Sequence, residues 1–318
     1  LGSDGGRHAS DNLCHLHDQA TGTTLLCAFM TLDRMHGSHT LACDADGRIT
    51  EYRATCTFGD FLLNPGQELV AEQLRLSLHT DPYAALEAWA DSICRAYRPA
   101  FADLPPVSWI NGAWADTTSG REGSYEAVAV ANARALREQL RGFDIRYIWT
   151  SQANLKDAMP GNWLATDPVQ MPSGLPGFFR QLQELGYEPG LWVAPYWFYR
   201  EAEGMLEENA ENLLRDADGR PICHVGPFGW QYDDDLPWYH LHRYYLDGTH
   251  PRSMDFLRKV FGYYRELGVR YYMLDFLGIV EHCRLHDPTQ TPLQAGTGML
   301  RVIREVAGPE THIQTAVS

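Results

Sequence analysis

The chain has 318 residues, 44% of them hydrophobic and 12% aromatic, with a formal net charge of −15. That much apolar sequence excludes a disordered chain, and the negative balance disfavours nucleic acid and anionic lipid as partners. No apolar run approaches the roughly 20 residues that span a bilayer, so no membrane partner is expected, while a small neutral ligand and homo-oligomer formation are compatible with the surface.

The N-terminal stretch "LGSDGGRHAS" lacks a methionine, a basic region and an apolar region, so no signal peptide is visible and the chain reads as starting in mid-domain. Residues 23–80 read as β structure. The strand-like runs are "TLLCAFMTL", "ITEYRATCTF" and "ELVAEQLRLSLH", separated by turn signals at Asp46-Gly47 and Pro65-Gly66. They predict the end of a β-sandwich over residues 1–80. Asp81-Pro82 then opens a helix, "YAALEAWADSICRAYR", and "PAFADLPP" closes a helical linker spanning 81–105.

From 106 to 318 the pattern alternates. Strands are predicted at 107–114, 145–151, 188–198, 269–276 and 311–317, with helices near 123–142, 174–186, 201–214, 251–267 and 291–306. Such alternation predicts a parallel α/β sheet with βαβ crossovers. A β domain followed by such a run points to a (β/α)8 TIM-type barrel of which only about five βα units are present; an open doubly wound sheet is the alternative. No GxGxxG or Walker signature follows any strand, which weakens a nucleotide site. No cofactor is expected.

The seven cysteines are widely spaced and form no CxxC pair, so they read as free thiols in a reducing, cytoplasmic setting. Asp233, Asp234 and Asp235 are consecutive, which spreads rather than converges their side chains. His282 and His286 stand four apart without an HExxH pattern. No metal site is expected.

The run "GVRYYMLDFLG" (268–278) is apolar except for Asp275. Catalytic groups of a βα barrel lie at the C-terminal ends of its strands, and Asp275 stands near such an end. An aspartate capping the next helix, or paired with a buried arginine, explains the position equally well. Trp109, Trp114, Trp149, Trp163, Trp192 and Trp197 cluster on or after the first three predicted strands. Trp192, early in its strand, reads as core packing. Trp149, Trp163 and Trp197, at strand ends or in a loop, suit the C–H face of a sugar ring, as Tyr196 and Gln152 suit its hydroxyls; Glu201 reads as a helix-start carboxylate.

Several segments in order, "NPGQELVAEQLRLSLHTDPYAALEAWA", "GNW", "MPSGLPGFFRQLQELGYEPGLWVAPYWF", "YYLDGTHP" and "YYMLDF", resemble the melibiase-type α-galactosidases, glycoside hydrolase family 36 and its relatives in clan D. The resemblance implies a β-supersandwich followed by a (β/α)8 barrel, and retaining hydrolysis of α-linked galactosides. It implies Asp275 as nucleophile at the end of the fourth barrel strand. The acid/base aspartate, after the sixth strand, is expected beyond Ser318, so the chain by itself is expected to lack half of the catalytic pair.

Three departures concern the substrate. Met273 stands where the family usually carries a sugar-binding lysine, "WTSQANL" (149–155) replaces an acidic pair, and Asn162 replaces an acid. Losing groups that pair particular hydroxyls bears on which sugar fits. The expectation is therefore a retaining α-glycosidase of α-galactosidase type acting on galactosides or related sugars. The competing readings are a carbohydrate-binding pseudoenzyme and an α-glycan transferase on the same scaffold.

Overall fold

The computed structural model describes residues 6–99, 107–111, 123–156, 159–225, 241–278 and 280–316. The chain divides into two compact units, residues 1–103 with 288–294, and residues 104–287 with 295–318.

The first unit holds two three-stranded antiparallel sheets. One is β1 (Gly6–Asp11), β4 (His36–Cys43) and β5 (Ile49–Thr57), and the other is β2 (Leu13–Asp18), β3 (Thr23–Phe29) and β6 (Leu74–His79), each a hairpin of two consecutive strands joined by one strand from elsewhere in the chain. Their faces meet where the Phe29 ring lies on Gly37, whose missing side chain makes the room: a Cβ there would sit 2.4 Å from the ring. The opposite face of β3, Leu26 and Ala28, packs on Ala85 of α1 (Pro82–Tyr97). Asp81 caps this helix, its Oδ1 accepting the amides of Tyr83 at 2.8 Å and Ala84 at 3.3 Å, with Pro82 in the first turn.

The long strand predicted over 68–79 is shorter than its alternation implied. Glu72 turns inward, and its Oε1 accepts the backbone amides of Asp33 (3.0 Å), Arg34 (2.6 Å) and Met35 (2.9 Å). Those three orphan donors would otherwise be unsatisfied in a tight loop, so the chain enters the sheet only at Leu74.

The second unit is built on a five-stranded parallel sheet. Its strands are β7 (Val107–Asn111), β8 (Ile145–Thr150), β9 (Glu188–Val193), β13 (Tyr271–Leu274) and β14 (His312–Thr315), and each lies beside the preceding strand of this sheet. The order never reverses, as it must in a doubly wound sheet, and the sheet forms a curled half-barrel. The helices between these strands are α2 (Tyr125–Gln139), α3 (Gly174–Glu184) and α5 (Pro251–Glu266), with α6 (Pro292–Ala307) leading to the last strand. The outer sheet face is apolar: Tyr272 packs on Phe261 and Tyr264 of α5 at ring separations of 5.0 and 6.4 Å. The inner face carries Tyr147, Trp149 and Tyr271, whose rings approach across Gly190.

Two predicted elements differ. The run 188–198 is not one strand: Pro195, which has no amide for a ladder, marks a turn, and the chain continues as β10 (Trp197–Tyr199). With β11 (Cys223–Val225) and β12 (His242–Tyr245) it makes a separate antiparallel sheet, inserted between β9 and β13. The helix predicted over 201–214 shrinks to α4 (Met205–Asn209), preceded by Gly204 at φ 76. Beyond it Asn209 and Asn212 spend their amides on Met205 O and on Asn209 and Ser253 side chains. Such local bonds compete with helix continuation. Among the described residues no helix is long and apolar enough to cross a membrane.

Candidate functional site

β13 reaches its C-terminal end at Leu274, and the ladder runs one rung further because the Asp275 amide donates to Val193 O at 3.0 Å. Asp275 is only 9% exposed. Both carboxylate oxygens accept from N–H donors: Oδ2 from the Trp192 indole at 3.0 Å, and Oδ1 from the next backbone amide, Phe276, at 2.8 Å. A buried carboxylate without such donors would be costly, and these charge-assisted bonds also fix its rotation. The parallel register explains why Trp192 can reach. It pairs with Met273, so its side chain and that of Asp275, two residues further on, leave the sheet on one face.

Phe276 has φ 52, one of three non-glycine residues with positive φ among those described. An aromatic residue in the left-handed region carries a conformational cost. Here the turn aims the Phe276 amide back at Asp275 Oδ1. Its ring is packed edge-on against Trp192 (6.5 Å) and Trp197 (6.1 Å), and Trp192 in turn meets Trp163 at 5.8 Å. The carboxylate therefore stands beside four linked aromatic rings.

The other predicted residues fall as follows. Trp163 and Trp197 belong to this aromatic group and are 2% and 1% exposed. Trp149 is half-buried on the inner sheet face and stacks on Tyr271 at 6.2 Å. Gln152 lies in a 3-10 turn, Gln152–Asn154, directly after β8, and its buried Oε1 has no hydrogen-bond donor among the described residues. Buried Thr150 Oγ1 likewise has no partner, and the buried Trp163 Nε1–H has no acceptor, among the described residues. Tyr196 is 4% exposed and donates its hydroxyl to Gly296 O at 2.7 Å; burial pushes its ionisation well above the usual tyrosine range.

Glu201 is held by His242 rather than by a helix. Its Oε1 lies 2.8 Å from His242 Nδ1 and its Oε2 accepts the His242 amide at 3.1 Å. Partial burial works against its charge, but these bonds outweigh it and keep the carboxyl below the usual glutamate range. The Arg243 guanidinium lies over the rings of Trp197 (5.4 Å) and Tyr245 (5.6 Å). Trp114, the side chain of Trp109 and the acidic run 233–235 lie outside the described residues. Among the described residues no group of three histidine, cysteine or acidic side chains converges on a metal position.

Trp192 and Phe276 are the residues that sequence reasoning missed. Only the parallel register, which pairs Trp192 with Met273, shows that Trp192 faces Asp275. Nothing in the sequence signals the positive φ of Phe276.

Chemically, the arrangement is an oriented, partly enclosed carboxylate at a strand's C-terminal end, walled by indole and phenyl faces.

Comparison with solved structures finds the same backbone arrangement elsewhere. The α-galactosidase TtGalA of Thermus thermophilus, solved with p-nitrophenyl α-D-galactopyranoside, superposes with a TM-score of 0.61 at 16% identity, over 96% of this chain and 52% of that one. The GH36 α-galactosidase AgaA of Geobacillus stearothermophilus gives 0.63 at 16% identity, over 98% and 44%. The α-galactosidase of Lactobacillus brevis gives 0.58 at 14%, over 100% and 43%. The fold is that of the GH36 α-galactosidases. The chain spans about half the length of these structures. No family model and no curated protein sequence matches it. At such low identity, the likeness to the GH36 structures concerns the path of the backbone, and it leaves the reaction to be argued from the side chains around Asp275.

Proposed function

We propose that the chain carries the nucleophile half of a retaining α-glycosidase site, with Asp275 as nucleophile and a neutral α-linked sugar, a galactoside or a relative of one, as substrate. The observation that carries this reading is the placement of Asp275: a nearly buried carboxylate at the end of a half-barrel strand, oriented through both oxygens by Trp192 and Phe276. Similarity to structures whose printed names are α-galactosidases supports a glycoside hydrolase.

In this reading residues 1–80 are the end of a β-supersandwich, 81–105 a helical linker and 106–318 part of a (β/α)8 barrel. Asp275 attacks the anomeric carbon to give a covalent glycosyl-enzyme, which water then hydrolyses. A second carboxylate about 5–5.5 Å away acts first as acid and then as base. The aromatic group of Trp163, Trp192 and Trp197 walls the sugar site, Trp149 lines it, and Gln152 and Tyr196 contribute polar edges. Buried Gln152 Oε1 fits a hydroxyl donor.

The second reading is carbohydrate binding without turnover. It is favoured by half-buried Met273, which leaves the sheet on the same face as Asp275 and offers a sugar no charge. The test is hydrolysis of aryl α-glycosides by the full-length protein and its Asp275→Ala variant, with azide added to the variant. Loss of hydrolysis in the variant, restored by azide as a glycosyl azide, is the expected result. Unchanged turnover in Asp275→Ala overturns the nucleophile role, and no hydrolysis by the parent on any α-glycoside favours the binding reading.

A further inference from the structure

The geometry of the first unit points to a disulfide-forming site. We propose that Cys14 and Cys27 are joined when the protein meets a peroxide, locking β2 onto β3.

The two cysteines stand directly opposite each other in the antiparallel β2–β3 register. The Phe29 amide donates to Asn12 O directly opposite it at 2.8 Å, which gives Asn12 and Phe29 the phase of a hydrogen-bonded rung although the Asn12 amide itself goes to Gly37 O. Rungs of that kind recur every second residue, so Cys14 and Cys27 form the next one. Opposed residues on such a rung have Cα atoms about 5.5 Å apart, inside the window of roughly 4.4–6.8 Å that a disulfide needs. Their side chains leave the sheet on the same face. The Cβ atoms must still close by about 1 Å, and β2 can supply this because it is the edge strand of its sheet.

Access divides the roles. Cys14 is half-exposed and Cys27 is buried, so Cys14 meets the oxidant and Cys27 resolves it. Burial, and secondarily the Cys27 sulfur, push the Cys14 thiol above its ordinary range, which makes the reaction faster as pH rises. The other cysteines on strands face residues of other kinds: Cys43 faces Ile49, Cys56 faces Gly37 and Cys223 faces Tyr244 in their registers.

The chemistry balances. The Cys14 thiolate attacks one peroxide oxygen, the O–O bond breaks, and the departing hydroxide takes up a proton as water. The resulting sulfenic acid is attacked at sulfur by Cys27. Its S–O bond breaks, a second water leaves with the Cys27 proton, and the S–S bond forms. Two thiols lose two hydrogens and two electrons, and one peroxide becomes two waters.

The sequence makes the product easy to read. Trypsin cleaves after Arg7 and Arg34 and nowhere between, so one peptide, residues 8–34, holds both cysteines. The full chain is treated with hydrogen peroxide, quenched, alkylated with iodoacetamide in urea and digested. The expected result is that peptide 8–34 loses two hydrogens and both alkylation sites, that dithiothreitol restores them, and that Cys94→Ser changes nothing. In Cys14→Ser the loss disappears and Cys27 is alkylated. A chain oxidised in urea should scatter its links among several cysteines, a control that holds even where Cys14→Ser folds poorly. Peptide 8–34 remaining doubly alkylated after exposed Cys94 has been oxidised would overturn the proposal, as would Cys14 advancing to sulfinic acid with Cys27 still alkylated.

Discussion

Replacing Phe276 by alanine and by glycine separates the two contributions that hold the Asp275 turn. Either change removes a half-buried ring that packs on Trp192 and Trp197. A fully buried phenylalanine cut to alanine costs about 3–5 kcal/mol, so a half-buried one should cost roughly 2 kcal/mol. Alanine keeps the penalty of φ 52, about 1–2 kcal/mol for an L residue in the left-handed region. Glycine removes that penalty but adds about 0.5–1 kcal/mol of unfolded-state entropy. The balance favours glycine over alanine by about 0.5–1 kcal/mol, the reverse of the order at an ordinary helix or strand position. At about 2–4 °C per kcal/mol for a chain of this size, Phe276→Gly should unfold about 2 °C above Phe276→Ala. Near-ultraviolet circular dichroism, which follows the neighbouring tryptophans, is the assay. Alanine unfolding at the higher temperature would refute a left-handed turn held at Phe276.

Three further outcomes follow from the same contacts. Trp192→Phe keeps most of the packing but deletes the donor to Asp275 Oδ2; with hydrogen bonds to charged groups worth about 1.5–3 kcal/mol, the melting temperature should fall by several degrees and the rate of covalent labelling at Asp275 should fall at least about tenfold. Gly190→Ala places a Cβ 2.8 Å from Trp149 and 2.9 Å from Tyr271, and overpacking of this kind costs about 1–3 kcal/mol in denaturant unfolding. His250 caps α5, its Nδ1 accepting the Arg252 amide at 3.2 Å, and burial, then the His286 ring beside it, lower its affinity for a proton. A histidine lowered in the folded state binds more protons when unfolded. Stability is therefore full near pH 7 and declines as pH falls through about 6.5 toward the folded value. His250→Asn, which caps without titrating, should flatten that decline in unfolding measured from pH 7.5 to 5.

The alternation of strand and helix after residue 106 was legible because strands such as β9 and β13 are mostly apolar and buried and helices such as α2 and α5 begin at side-chain caps, Ser124 and His250. The small sheet of β10, β11 and β12 was not, because Trp197–Tyr199 continues the composition of β9 and only Pro195 interrupts it. β1, β2 and β4 were missed because their histidines, serines and threonines look like loop sequence. His39, for one, is buried and satisfied through Nδ1 by Tyr52 at 2.8 Å, a partner supplied by a neighbouring strand. The position of Asp275 at a strand end was visible from its apolar neighbours. Its partner Trp192 was not, since an indole early in a strand has the composition of core, and only the parallel register shows that it faces the carboxylate.

The most direct test of Asp275 as nucleophile uses a 2-deoxy-2-fluoro α-galactosyl fluoride, or a related activated fluoride, on the full-length protein. Fluoride leaves without help from an acid, so the first step needs only the attacking carboxylate. Mass spectrometry of the peptide containing Asp275 should gain one fluorosugar, and Asp275→Ala should not be labelled. A sugar ester on a different carboxylate, with Asp275 unmodified, would contradict the account.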